Sequence, residues 1–310
     1  MPLKRTPQKF NSAINTVTIG TDCKIGGENV LPFYVFDAPI ENKPKVGVEL
    51  SDLGPNPDLP NLAKYYEGAT SITAQAVRAC AMPGVDFLCL SLDSADPNGH
   101  NATVEDCVSL CCEVADAIDK PLAILGCGNI EKDGVLLEKL AEALQGRNVL
   151  LLSAKEEDYK GIAAAAGLAY GQKVGAESSV DVNLAKQLNV LISQLGVKPE
   201  SVVMNIGSAA AGYGFEYVSS TMERIKAAAL GQNDQMLQMP IITVVSKDAW
   251  SVKEALADEA DAPQWGPREQ RGVDMEITTA AACLVSGSNA VVLMHPDSVA
   301  TVSRLVSELI

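Results

Sequence analysis

The chain has 310 residues, with 24 Lys and Arg against 39 Asp and Glu and a formal net charge of -15. So acidic a surface repels a phosphate backbone, which excludes nucleic acid as a partner. No apolar run approaches the roughly 18 residues that a membrane span needs, so no membrane partner is expected either.

The N-terminus, "MPLKRTPQKFNS", is basic but has no apolar stretch behind it, which predicts a soluble, cytoplasmic chain without a secretory signal. The eight cysteines include no C-x-x-C pair and lie mostly in apolar segments, as reduced cytoplasmic thiols would. Residues 1–45 stand outside the strand–helix alternation of the rest of the chain. Within them "VTIG" (17–20) and "PFYVF" (32–36), bounded by Gly and Pro, read as a hairpin-like extension that plugs a barrel bottom.

From residue 46 onward β-rich runs recur: "VGVEL" (46–50), "VDFLCLSL" (85–92), "PLAILGC" (121–127), "NVLLLSA" (148–154), "YGQKVGA" (170–176), "SVVMNIG" (201–207), "PIITVVS" (240–246) and "AVVLMHP" (290–296). Most lack polar alternation, as parallel strands covered on both faces do. Between them lie helical periods over 103–118, 134–144, 180–196 and 217–230, and "DSVATVSRLVSELI" closes the chain as a helix capped by Asp297 or Ser298. Eight β/α units over 46–310 predict a TIM (β/α)8 barrel. A doubly wound open sheet shares the alternation, but no G-x-G-x-x-G follows the first strand.

In such a barrel chemistry sits where the strands end. The strand-end residues, among them Glu49, Asp52, Asp93, Glu177, Asn205 and Asp248, form a rim rich in carboxylates and amides with few cations, suited to a neutral, amide-bearing or partly cationic ligand rather than a polyphosphate. Any single carboxylate there is most simply a helix cap. His100 and His295 are the two histidines, too few for a histidine-rich zinc site; His295 ends a strand, whereas His100 reads as a loop residue without a role. Cys107, Cys111 and Cys112 read as small hydrophobes packed on one helix rather than as cluster ligands. The loop in "MNIGSAAAGYG" (204–214) has the glycines of a phosphate cradle, but its spacing fits no nucleotide motif and no lysine follows. Its small residues instead permit close approach of a broad ligand or another protein to the backbone.

At this loop the sequence resembles the corrinoid iron–sulfur protein small subunit, the delta subunit of archaeal acetyl-CoA decarbonylase/synthase. The stretches that carry the resemblance are "LPFYVFDAPIENKPKVGVEL" (31–50), "LDSADPNG" (92–99), "PLAILGCGNIEKDGVLLE" (121–138), "DVNLAKQLNVLI" (181–192), "GYGFEYVSSTMERI" (212–225), "LQMPIITVV" (237–245) and "VVLMHP" (291–296), in order along nearly the whole chain. The resemblance implies a barrel subunit paired with a large subunit that carries a [4Fe-4S] cluster and a mobile corrinoid domain, the corrinoid (cobalamin) lying between the two. It implies that cobalt takes a methyl group from methyltetrahydrofolate through a separate methyltransferase and passes it to acetyl-CoA synthase, which works with carbon monoxide dehydrogenase, on the Wood–Ljungdahl route. This chain has neither D-x-H-x-x-G nor cluster-spaced cysteines, so the cluster is expected in the partner and the corrinoid is expected to be shared with it. An Asp-Pro is expected after the sixth strand in this family; Asn205 and Ile206 stand there instead, which removes a general acid or pterin anchor.

The expected role is therefore a cap over the corrinoid with no catalytic residue of its own, using Asp93, Ser94, Gly126, Asn129, Ser153, Asn205, Gly207, Ser208, Tyr213 and His295. Two other readings stay open: a freestanding pterin-dependent methyltransferase, and a docking subunit with no group near cobalt.

Overall fold

A computed structural model describes residues 6–310. Eight short parallel strands, nearly all of whose residues are buried, close into a barrel. They are β3 (Lys45–Ser51), β4 (Phe87–Ser91), β5 (Leu122–Leu125), β6 (Leu150–Ala154), β7 (Lys173–Glu177), β8 (Val202–Asn205), β9 (Ile241–Val244) and β10 (Ala290–Leu293). They are hydrogen-bonded in the order β10-β3-β4-β5-β6-β7-β8-β9, and the β10 to β3 pairing closes the ring. Closure rules out the open sheet and explains the continuous apolar runs. One face of each strand fills the barrel and the other lies under helices, so neither meets water.

The helices are α1 (Pro60–Tyr65), α2 (Ile72–Cys80), α3 (Val104–Ala117), α4 (Ile130–Ala143), α5 (Tyr159–Ala163), α6 (Val182–Gln194), α7 (Phe215–Lys226), α8 (Val245–Ser251), α9 (Lys253–Leu256), α10 (Arg268–Ser286) and α11 (Pro296–Leu309). Their starts follow local chemistry. Thr103, Asn129 and Asp181 accept backbone N–H bonds at the beginnings of α3, α4 and α6. The last helix departs from expectation: neither Asp297 nor Ser298 caps it. His295 does, its Nδ1 accepting from the Asp297 N–H at 3.1 Å, because Pro296 occupies the first helical position. Cys107 and Cys111 are buried in the helix–barrel core, and His100 is exposed.

The extension forms a hairpin, but "PFYVF" is not its second strand. β1 (Val17–Ile19) pairs antiparallel with β2 (Cys23–Ile25) through a tight turn that Gly20 enters at φ 61°. Residues 32–36 instead run through turns, with Phe33 at φ 59°. Val17, Ile19, Cys23 and Ile25 join Phe87, Cys89, Leu150, Val203, Ile242 and Val292 in one apolar cluster inside the barrel. Asn148, just before β6, fastens the turn: its Nδ2 donates to the Thr18 and Gly20 carbonyls at 2.9 and 2.7 Å. Farther along, Lys226 and Glu28, 2% and 9% exposed, pair at 2.7 Å, and Asn289 bonds to both. The hairpin thus seals the barrel at the N-terminal ends of its strands and leaves the opposite rim open. No helix among the described residues is long and apolar enough to cross a membrane.

Candidate functional site at the barrel mouth

On β3, β4, β7 and β8 the chain turns from apolar or small in the middle of the strand to polar at its C-terminal end, whereas β5 and β10 stay apolar throughout. On one side, β3 supplies Glu49 and Ser51, β4 supplies Ser91 with Asp93 close behind it, and α8 begins so soon after β9 that its first turn carries Ser246 and Lys247 over the mouth. Asp93 accepts from Ser51 Oγ at 2.6 Å, from Ser91 Oγ at 3.0 Å and from Lys247 Nζ at 2.6 Å. Lys247 also lies 3.8 Å from Glu49, whose other oxygen accepts from the Ser246 hydroxyl. Burial pushes the Glu49 carboxyl up against the opposing effects of Lys247 and Ser246. Burial alone would also raise Asp93, but the charge of Lys247 and the hydrogen bonds hold it below the ordinary carboxylate value. Burial works to lower Lys247, and Glu49 and Asp93 reverse that and raise it. Beside this trio lies a cavity of about 520 Å³, walled by Tyr66, Trp250 and Met294.

Across the mouth a second polar group joins β6, β7 and β8. Asn205 Nδ2 donates to Ser153 Oγ at 2.9 Å and toward Glu177 Oε2 at 3.4 Å, while its Oδ1 accepts the Gly207 N–H at 3.2 Å. Lys155 pairs with Glu177 at 3.5 Å. Register shifts between Leu151 and Ala154, and this irregularity in β6 places Ser153 opposite Asn205. Two cations stand among the rim carboxylates. Lys155, two residues after Ser153 of β6, and Lys247, next to Ser246 in the first turn of α8, both reach the mouth, and each is neutralised by carboxylates already present.

The ten positions expected at the rim divide by their surroundings. Ser153, Asn205 and Gly207 form one bonded group, and Asp93 belongs to the other. Ser94 is turned onto Asp52, its N–H donating to Oδ1 at 2.9 Å and its hydroxyl to Oδ2. Ser208 stands beside Asp248, whose carboxyl burial pushes up. Tyr213 is exposed and donates to Glu254 Oε2 at 2.6 Å. Asn129 is engaged as the α4 cap, its Oδ1 accepting from the Lys132 N–H at 3.0 Å. Gly126 leaves room for the Asp133 carboxylate, which accepts the Cys127 and Gly128 N–H groups at 2.8 Å each; a Cβ on Gly126 would stand 2.5 Å from that carboxyl carbon. His295 is 1% exposed and lies inward of the rim, its Nε2 3.2 Å from Glu269, which also accepts the first N–H groups of α1. Sequence reasoning passed over Lys155 and Lys247, which lie one residue beyond the end of β6 and three beyond the end of β9.

The fold and the sequence each have known counterparts. Dihydropteroate synthase from Yersinia pestis superposes with a TM-score of 0.58 over 94% of this chain and 98% of that one, and the Coxiella burnetii enzyme with 0.56 over 95% and 98%, both at 10% identity. At that identity the likeness shows the barrel fold alone. In sequence, subunit delta 1 of the acetyl-CoA decarbonylase/synthase complex of Methanosarcina thermophila is 33% identical over 96% of this chain and 69% of its own length. Subunit delta of Archaeoglobus fulgidus is 35% identical over 92% of this chain and 64% of its own. The family model described as CO dehydrogenase/acetyl-CoA synthase delta subunit matches residues 16–299. An eight-stranded barrel stoppered at one end, matched to these relatives along nearly its whole length, belongs to the CO dehydrogenase/acetyl-CoA synthase delta subunit family.

Proposed function

We propose that this chain is the small subunit of a heterodimeric corrinoid iron–sulfur methyl carrier and that its barrel mouth caps a corrinoid held mainly by a large partner subunit. The observation that carries this reading is the mouth's internal neutralisation. Lys247 is taken up by Asp93 and Glu49, and Lys155 by Glu177. Beside these ion pairs the mouth offers hydroxyl, amide and backbone N–H groups, next to the apolar wall of Tyr66, Trp250 and Met294. A primary carboxamide both donates and accepts hydrogen bonds, so the amide arms around a corrin ring match such a surface, whereas a polyphosphate would need unpaired cations.

The groups that would meet those arms are Ser94, Ser153, Asn205, Gly207, Ser208 and Tyr213, with Asp93 beside them. A bound corrinoid supplies the cobalt that accepts a methyl group and releases it to the next acceptor. This chain's part is to exclude water and oxidant from that centre and to hold the ring's edge. The [4Fe-4S] cluster belongs to the partner in this reading. The methyl donor system is a methyltetrahydrofolate:corrinoid methyltransferase, and the acceptor is acetyl-CoA synthase with its carbon monoxide dehydrogenase.

Expression of the chain alone and together with the large subunit tests this by absorbance. The expected result is a colourless chain alone and a corrinoid spectrum only in the pair. Tight binding of methyltetrahydrofolate by the chain alone, with no corrinoid in the pair, would refute the carrier and favour a pterin-dependent methyltransferase.

A further inference from the structure

Behind the mouth, α10 carries a carboxyl that takes no part in the two polar groups of the rim. Glu276 is fully buried, and its two oxygens bracket the first N–H groups after β10: Oε1 accepts from Met294 at 2.6 Å and Oε2 from His295 at 3.2 Å. Two further polar atoms lie beside it, Ser298 Oγ from α11 and Trp250 Nε1 from α8. Both act against the upward push that burial gives the carboxyl, yet neither has a hydrogen-bond partner among the described residues. Buried polar atoms are rarely left so, and each exception calls for a physical account.

The seat of Trp250 is built into the same helix. Gly272, one turn before Glu276, lies against the six-membered ring of the indole, and a Cβ there would overlap it. Glycine weakens a helix relative to alanine, so its place here is explained by the ring it admits. The indole also stacks on the His295 imidazole, ring centroids 5.9 Å apart and planes 25° apart. Trp250 and Met294 both wall the cavity of about 520 Å³. The backbone N–H that Glu276 holds and the indole N–H it leaves free thus belong to one wall of the mouth.

An ionised carboxylate only accepts, and here each oxygen takes one backbone N–H. A protonated carboxyl has an O–H to donate, for which Ser298 Oγ is an acceptor, while Trp250 Nε1–H is a donor for the other oxygen. We propose that Glu276 and Trp250 form a proton-operated switch: ionised, Glu276 brackets the Met294 and His295 N–H groups; on taking one proton from solvent it turns to Ser298 and Trp250, draws the indole with it and reshapes the cavity. Burial pushes the carboxyl up to about 7, which puts the exchange near neutral pH. Charges on the surrounding elements are engaged elsewhere. Glu269 on α10 faces His295 and the start of α1, Lys247 and Asp248 on α8 face Asp93 and Ser208, Lys226 on α7 pairs with Glu28, and Glu254 on α9 bonds to Tyr213. The remaining charges of α7, α9 and α11 are exposed, and the Cys283 thiol, two turns along α10, is pushed up to about 12 and stays neutral. The switch does not depend on what the mouth receives.

The test uses the full chain with Trp265→Phe, which leaves Trp250 as its single tryptophan. Its fluorescence is followed from about pH 5 to about pH 9, with far-ultraviolet circular dichroism to confirm the fold. The expected result is a one-proton step in emission with its midpoint at about 7. Adding Glu276→Gln is expected to abolish the step, since an amide presents the same donor and acceptor at every pH. Adding Gly272→Ala is expected to displace the indole and shrink the step, and it answers independently should the Gln variant not fold. Adding His295→Asn, which keeps an acceptor at the α11 cap, is expected to retain the step. Flat emission in the Trp265→Phe chain would overturn the proposal, as would a step left unchanged by Glu276→Gln or by Gly272→Ala. Loss of the step in a folded His295→Asn chain would overturn it too, by assigning the proton to the imidazole stacked on the indole.

Discussion

Replacing Asn205 by Asp restores the carboxylate expected at that position in the family and sets it against a neighbour that cannot accommodate it. Asn205 is 6% exposed, and its Nδ2 stands 3.4 Å from Glu177 Oε2. Two unit charges at that separation repel by about 5 kcal/mol at an effective dielectric constant near 20. Lys155, 3.5 Å from the other Glu177 oxygen, offsets part of this. The pair relieves the rest by holding one proton between its two carboxyls. Keeping that proton at pH 7, against an ordinary carboxyl pKa of about 4, costs about 4 kcal/mol, which caps the penalty. Asn205→Asp should therefore lose about 2–4 kcal/mol of stability near pH 7. The folded pair binds a proton that the unfolded chain has released, so the loss shrinks as pH falls toward the ordinary carboxyl range. It grows as pH rises, until the folded pair also ionises. Urea unfolding from about pH 5 to about pH 8 measures this, with Asn205→Ala reporting the lost hydrogen bonds alone, about 1–3 kcal/mol and flat with pH. If the Asp variant tracks the Ala variant at every pH, the two side chains are not coupled as their geometry requires.

Lys226→Met should cost about 3–5 kcal/mol by leaving Glu28 buried without its cation, and adding Glu28→Gln should recover most of that. A double-mutant cycle in denaturant would reject this account if the two losses simply added. Burial pushes the Glu276 carboxyl up to about 7 from an ordinary 4.5. The folded form then keeps a proton that the unfolded form gives up between those values, so this group lowers stability as pH rises through the window, by about 3 kcal/mol in all. Glu276→Gln should flatten that slope in thermal or urea melts, and an unchanged slope would show that another group sets it.

Strands were the most legible part of the chain. A parallel strand covered on both faces leaves an unbroken apolar run, and all eight runs became barrel strands. The hairpin was half legible. "VTIG" announces itself by composition, but its partner Cys23–Ile25 is a three-residue strand containing an exposed lysine, too short to show alternation, while the more apolar 32–36 drew attention away. The mouth was legible where polarity sits on the strand itself, as at Ser153 and Asn205. It was illegible where geometry is set by the next element of the chain, since the reach of Lys247 depends on α8 starting without a loop. His295 shows the opposite limit: a strand-end histidine looks like a surface ligand, and only the packing of Trp250, ring centroids 5.9 Å apart, and of Glu269 reveals it as interior.

Because the hairpin's side chains occupy the lower end of the barrel, the mouth is a vessel with one door. A partner seated on the rim would be threshold and lid together, so that whatever rests at the mouth could be exchanged only as often as the partner tilts or leaves. The stopper at one end would thereby leave the timing to the other, without touching anything that binds there.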